Sequence, residues 1–248
     1  AQEVHLACGG TIRVFVEAVT DKDMIETLIE NRPVARVIDL ADGEWCTLCD
    51  GTHSGALPLD DQTRATVKSM LVEGRSGVLQ VGGSDLLVMS HTQPRRMIII
   101  GAVHIAQALA PMAAIAGFET TVIDSRPAFA RTERLPGVTI VTDPTAKAME
   151  AMAVDSNTAV IALAHDPLLD DPALSAALKS SAYYIGCLGS KRTHAKRLER
   201  LRKAGFDDAA LARLHGPIGF DIGGRSPGEI AVSILAEAIA VRYGKDKT

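Results

Sequence analysis

The 248-residue chain carries 26 Lys and Arg against 30 Asp and Glu, a net charge of −4, and only 4% of its residues are aromatic. That balance argues against nonspecific nucleic-acid binding by the whole surface, and the scarcity of aromatics argues against base-stacking platforms. No apolar run approaches the roughly 20 residues that span a bilayer and the start is not signal-like, so the expectation is a cytoplasmic protein with neither membrane nor nucleic-acid partner.

The chain opens just ahead of Cys8-Gly9-Gly10, followed by Ile12 to Glu17, which alternates as a half-buried strand does. Thr20 and Asp23 resemble an N-cap pair, and the helix they start ends near Asn31, before Pro33. Val34–Leu40 and Trp45–Leu48 read as a hairpin around Ala41-Asp42-Gly43. A helix is expected over Asp61–Glu73, and strands over Gly77–Val81 and Leu86–His91 flank a Gly82-Gly83 turn. The expectation from these segments is a smaller α+β module over 1–94, truncated at its start. The four cysteines, Cys8, Cys46, Cys49 and Cys187, do not suggest a disulfide framework. Cys46-Thr47-Leu48-Cys49 is a CxxC without a second pair at metal spacing, so two reduced cysteines in a hairpin are expected there.

From Arg95 the pattern changes to alternating strand and helix, with strands expected over 97–100, 119–123, 138–141, 158–163 and 183–187. Such alternation implies a Rossmann-like parallel sheet, here an α/β domain over 95–248. Met97-Ile98-Ile99-Ile100 suits a strand buried on both faces, Gly101 ends it, and an Ala-rich helix follows in which Pro111 predicts a kink. Asp124 lies about 20 positions after the turn, where a nucleotide-binding βαβ unit places its ribose acceptor. The glycine fingerprint is partial, because Val103 puts a branched side chain where the backbone approaches a pyrophosphate.

Ligands of such sheets gather beyond the carboxyl ends of the strands, which selects Gly101 and His104, Asp124 and Arg126, His165-Asp166-Pro167, and the run Gly186 to Arg192. In that run Ser190 can cap a helix with Lys191 and Arg192 in its first turn, where positive charge asks for an anion. Residues 190–204 hold seven Lys or Arg and one Glu, with Leu198 and Leu201 marking the buried side. Arg200, Arg202 and Lys203 are assigned to solvent or a partner, and Lys191 and Arg192 to the ligand. The stretch 215–225 supplies four glycines, Gly219 and Gly223 among them, with Asp221 and Arg225, ahead of a capping box of Ser226 and Glu229 with Pro227 at the first helical position. The final helix, Ile230–Val241, is apolar almost all round apart from Ser233 and Glu237, and belongs to the core or to a homodimer contact.

Cys8-Gly9-Gly10, Gly101-Ala-Val-His104-Ile-Ala106, the segment Gly186 to His194, and the Gly216-to-Gly223 loop with Ser226-Pro-Gly-Glu229 together resemble the xanthine dehydrogenase accessory family, XdhC/CoxI. The likeness covers nearly the whole chain. It implies a chaperone that binds molybdenum cofactor and delivers it in sulfurated form to a molybdenum hydroxylase subunit of the xanthine or carbon monoxide dehydrogenase type, with a sulfurtransferase as a further partner and a homodimer as the assembly. Carried over by position, it implies Cys8, His104, Lys191, Arg192, Asp221 and Arg225 as candidates, beside Gly101, Asp124, Gly189, Ser190, Gly219 and Gly223 from the residue reading. Cys8 as a thiolate suits the soft metal end of the cofactor, and glycine amides with Lys and Arg suit its phosphate. The competing reading is an NAD(P)-dependent oxidoreductase on the same sheet, which Asp124 favours and Val103 opposes.

Overall fold

The computed structural model describes residues 14–18, 21–30 and 32–245. The chain divides into two compact units between Thr92 and Gln93. In the first, α1 (Lys22–Ile29) begins at Asp21, whose carboxylate accepts the Met24 N–H. The cap thus falls one residue later than the Thr20–Asp23 pair suggests. Strands β1 (Val34–Asp39), β2 (Trp45–Cys49), β3 (Thr52–Gly55), β4 (Gly77–Val81) and β5 (Ser84–His91) form an antiparallel sheet in the order β3-β2-β1-β5-β4. Helix α2 (Asp61–Glu73), capped by Asp60, lays Val67 and Met70 against Ala35, Val37, Leu48 and Val88 of that sheet. Cys46 and Cys49 stand three residues apart on β2 and so point to opposite faces, Cys46 into the core.

The strand expected over 12–17 is not seen in the part described, because Val14–Ala18 joins neither sheet. Val14 and Val16 are 72% and 85% exposed, so their alternation has no apolar face to bury against. Glu17 instead ties the segment to the buried Arg36, at 2.7 Å, and Arg36 stacks on Trp45.

The second unit is a six-stranded sheet, parallel throughout, made of β6 (Arg95–Ile100), β7 (Phe118–Ile123), β8 (Thr139–Val141), β9 (Thr158–Ala162), β10 (Tyr184–Cys187) and the short β11 (Leu214–His215). Its order, β8-β7-β6-β9-β10-β11, is doubly wound, with the direction of winding reversing between β6 and β9. Residues alternate along β6 as a doubly covered strand requires: Met97 and Ile99 enter one core, Ile98 and Ile100 the other. Helices α4 (Thr145–Ala151), α5 (Pro167–Lys179) and α6 (Lys191–Lys203) cover the second core, and a short helix, α7 (Asp208–Leu211), follows them.

The first core lies under α3 (His104–Ile115) and α8 (Pro227–Arg242). Helix α3 continues through the exposed Pro111. Ala231, Ile234 and Ala238 of α8 are fully buried with Leu109, Ala110 and Ala113 of α3, so the face that the sequence offers to either core or dimer is packed inside the unit. Among the described residues no helix is long and apolar enough to cross a membrane.

Candidate functional site

The reversal point between β6 and β9 is where a doubly wound sheet ordinarily opens a ligand crevice. Here the two strand ends pack on each other. Gly101 adopts φ +100°, and a Cβ added to it would stand 2.8 Å from the Cα of Ala164. Asp124, at the end of β7, is fully buried and receives four donors. Its Oδ1 accepts the Arg126 N–H and Nε, and its Oδ2 accepts the Ala102 N–H and Arg126 Nη2, all at 2.8–3.0 Å. Burial alone raises a carboxylate pKa, but the Arg126 guanidinium and these amides hold Asp124 below its ordinary value. All four acceptor positions are committed to fastening the β6–α3 turn to β7, and none faces outward to a ribose. His104 is exposed as the first residue of α3.

A cleft of about 490 Å³ opens instead beside β10 and α8. One wall is Leu188, Gly189 and Lys191, the turn from β10 into α6; the other runs from Pro217 to Gly224, and Ile230 and Ser233 of α8 form the floor. The two glycine-rich stretches singled out in the sequence therefore meet. Of the candidates, Gly189, Lys191, Gly219, Asp221 and Gly223 line this space. Ser190 stands between them as the N-cap of α6, accepting the Thr193 N–H at 3.1 Å. Arg192 and Arg225 are exposed and outside the lining, and among the described residues neither they nor Lys191 has an ion pair. Gly101, His104 and Asp124 belong to the reversal point, and Cys8 lies outside the described residues. No group of three or more His, Cys, Asp or Glu side chains among the described residues is arranged to hold a metal ion.

Two buried charges behind the cleft were not among the candidates. Glu237 of α8 is fully buried; its Oε2 accepts the Gly219 N–H at 2.6 Å and the Tyr184 hydroxyl at 2.5 Å, and its Oε1 meets His215 Nδ1 at 3.2 Å. Burial and the Glu237 charge push the Tyr184 phenol well above its ordinary pKa, so it remains a donor. Arg197 of α6 is 2% exposed; its Nη2 donates to the Leu188 carbonyl at 3.0 Å and stands 3.8 Å from Asp170 of α5. Sequence signals existed for both. Glu237 interrupts an apolar helix, and Arg197 lies four residues before the buried Leu201, on the inner face of α6.

Arg202 and Lys203 are exposed, in keeping with their assignment to solvent, and Arg200 is only partly so. Arg200 makes a two-pronged pair with Asp171 of α5, at 2.6 and 2.9 Å, and Arg202 pairs with Asp208 at 2.9 Å. The basic run is thus partly neutralised by acidic side chains, one of which, Asp171, belongs to the preceding helix α5.

The second unit is thus a doubly wound domain with a glycine-lined cleft away from its reversal point. Residues 97–238 match the family model described as the XdhC Rossmann domain, and the chain belongs to that family. It is 31% identical over 163 residues to the uncharacterized protein YqeB of Escherichia coli (strain K12), which covers 65% of this chain and 30% of that protein. It is 32% identical over 152 residues to the molybdenum cofactor insertion chaperone PaoD of the same organism, which covers 61% of this chain and 42% of the relative. With a probable xanthine dehydrogenase subunit of Bacillus subtilis (strain 168) it shares 28% identity over 247 residues, 95% of this chain and 70% of that one. The matches thus span less than half the length of the first two relatives. A crystal structure of a xanthine dehydrogenase from Bacillus halodurans aligns with a TM-score of 0.69 at 24% identity, over 90% of this chain and 66% of that one, and shows the shared fold.

Proposed function

We propose that this chain binds molybdenum cofactor and serves its insertion into a molybdenum hydroxylase, with a sulfurtransferase as the source of the cofactor's terminal sulfur. The observation that carries the reading is the convergence of the 188–191 turn and the 217–224 loop on one cleft. Its volume falls in the range of small-ligand sites, about 300–1,000 Å³. The residues fit the group. Leu188, Ile218, Phe220, Ile222 and Ile230 give apolar walls for a flat pterin, while the capped start of α6 and Lys191, which has no ion pair among the described residues, suit its phosphate. PaoD, named as an insertion chaperone for this cofactor, supports the same reading. Cys8 is proposed for the soft metal end, where a bound cofactor supplies its molybdenum–dithiolene chemistry. The engaged Asp124 and the close contact of Gly101 with Ala164 disfavour the NAD(P) alternative.

The test is retention. The purified chain is mixed with molybdenum cofactor released from a molybdenum enzyme, passed over a sizing column, and assayed for co-eluting pterin by fluorescence after oxidation, beside titrations with NAD and NADP. Stoichiometric pterin in the protein peak and no response to the nucleotides is expected. Nucleotide binding without pterin retention would sink the proposal.

A further inference from the structure

We propose that Arg197 and Glu237 are positioning residues for the cleft, each fixing one of its two walls from behind by a bond to a single backbone atom. The inference rests on the reading of that cleft as the cofactor site. The first wall turns at Leu188, whose carbonyl takes the Arg197 bond, and the second turns at Gly219, whose N–H goes to Glu237. Neither charged group faces the cleft, and neither residue is in its lining.

Each anchor is reinforced by close packing. Gly219 adopts φ +88°, and a Cβ there would stand 2.3 Å from Ser233 Oγ, so the loop is pressed onto the face of α8 that carries Ser233 and Glu237. The Phe220 N–H donates to the Ser233 carbonyl on that face at 3.3 Å. On the other side His194, one turn before Arg197, lies so close to Gly216 that an added Cβ would stand 2.1 Å from its Nδ1. Helix α6 therefore touches both walls, one through Arg197 and the other through His194. Buried charges are costly, and holding them here, Arg197 beside Asp170 and Glu237 with Tyr184 and His215, makes sense where a conformation must be specified rather than merely stabilised. The walls are also joined directly, by the Ile218 N–H on the Cys187 carbonyl at 3.1 Å.

The experiment uses the full chain and three variants: Arg197→Met, Arg197→Lys and Glu237→Gln, the last keeping the shape of the side chain. Amide exchange followed by mass spectrometry reads segments 186–190 and 216–222, and molybdenum cofactor affinity and thermal unfolding are measured in parallel. Arg197→Met should speed exchange about tenfold in 186–190, Glu237→Gln should do so in 216–222, and each should weaken cofactor binding about tenfold. Arg197→Lys should restore part of both readouts. Should Glu237→Gln fail to fold, Glu237→Asp, which keeps the charge and withdraws it by one methylene, is read in its place. Unchanged exchange in both segments, or a rise spread over the whole chain in step with the loss of thermal stability, overturns the proposal. If the wild-type chain does not bind the cofactor, the reading of the cleft fails while the exchange data still decide the positioning role.

Discussion

Asp170 of α5 and Arg197 of α6 are both buried, 3% and 2% exposed in their side chains, and their charged groups stand 3.8 Å apart. Asp170 also accepts the Ala164 N–H at 3.2 Å, so it holds the end of β9 while facing the residue that holds the end of β10. Burial outweighs the neighbouring guanidinium and pushes the Asp170 carboxyl up to about 6. A raised carboxyl pKa means that the folded chain binds more protons than the unfolded chain between roughly pH 4 and 6, so this group's contribution falls as pH rises through that window and is level above it. Asp170→Asn should therefore gain on the wild type by about 3 kcal/mol between pH 4 and 7. Denaturant unfolding at both pH values checks this, and a constant difference would refute it.

Lys191, not Arg225, is the cation that lines the cleft. A charge-assisted hydrogen bond contributes roughly 1.5–3 kcal/mol, so Lys191→Ala should weaken molybdenum cofactor binding by about ten- to a hundredfold. Arg225→Ala, at an exposed position outside the lining, should do less. Arg200→Ala should leave affinity alone and cost stability, about 1 kcal/mol, because it breaks a partly exposed pair with Asp171. Titrations at low and high salt separate these outcomes from a diffuse basic field, which would make the three losses alike and strongly salt-dependent.

Gly101→Ala tests the closed reversal point. Both Gly101 and Gly117 have positive φ, +100° and +84°, but only at Gly101 does an added Cβ meet backbone. Gly117→Ala should cost about 1 kcal/mol for conformation alone, and Gly101→Ala clearly more, since the β6–α3 turn must also move away from Ala164. Equal unfolding midpoints for the two variants would contradict the packing described here.

The thiols divide by burial. Burial pushes Cys46 up to about 11 and Cys187 up to about 12, so neither forms an appreciable thiolate near neutral pH. In the native chain at pH 7.5 a maleimide should label Cys49 and spare Cys46 and Cys187 until the chain is unfolded, as peptide mapping would show. On the proposed role of Cys8, Cys8→Ser should lose the cofactor's terminal sulfur faster than Cys49→Ser does; equal retention would return Cys8 to a structural role.

Features that depend on near neighbours are legible in the chain. Four apolar residues ended by Gly101 specify a doubly covered strand, and the Ser226-Pro227-Gly228-Glu229 run specifies a capped helix start, realised with both halves of its capping box. The alternation of strands and helices after Arg95 was enough for a parallel sheet, and the two glycine-rich stretches could be picked out because glycine needs no distant partner to reveal its use. Features that depend on partners remote in the chain are settled by packing. The apolar alternation of Val14 and Val16 promised a strand, yet Glu17 is held by Arg36 and no sheet receives the described residues 14–18. Asp124 sits at the spacing of a ribose acceptor, and its four acceptor positions are filled by Arg126 and the Ala102 amide. Arg197 and Arg200 read alike in a basic run, but α5 brings Asp170 to one and Asp171 to the other, and only Arg197 is drawn inside. Hydrophobic period and capping are written within a few residues, whereas the partner of a charge is set by which helices the sheet brings together.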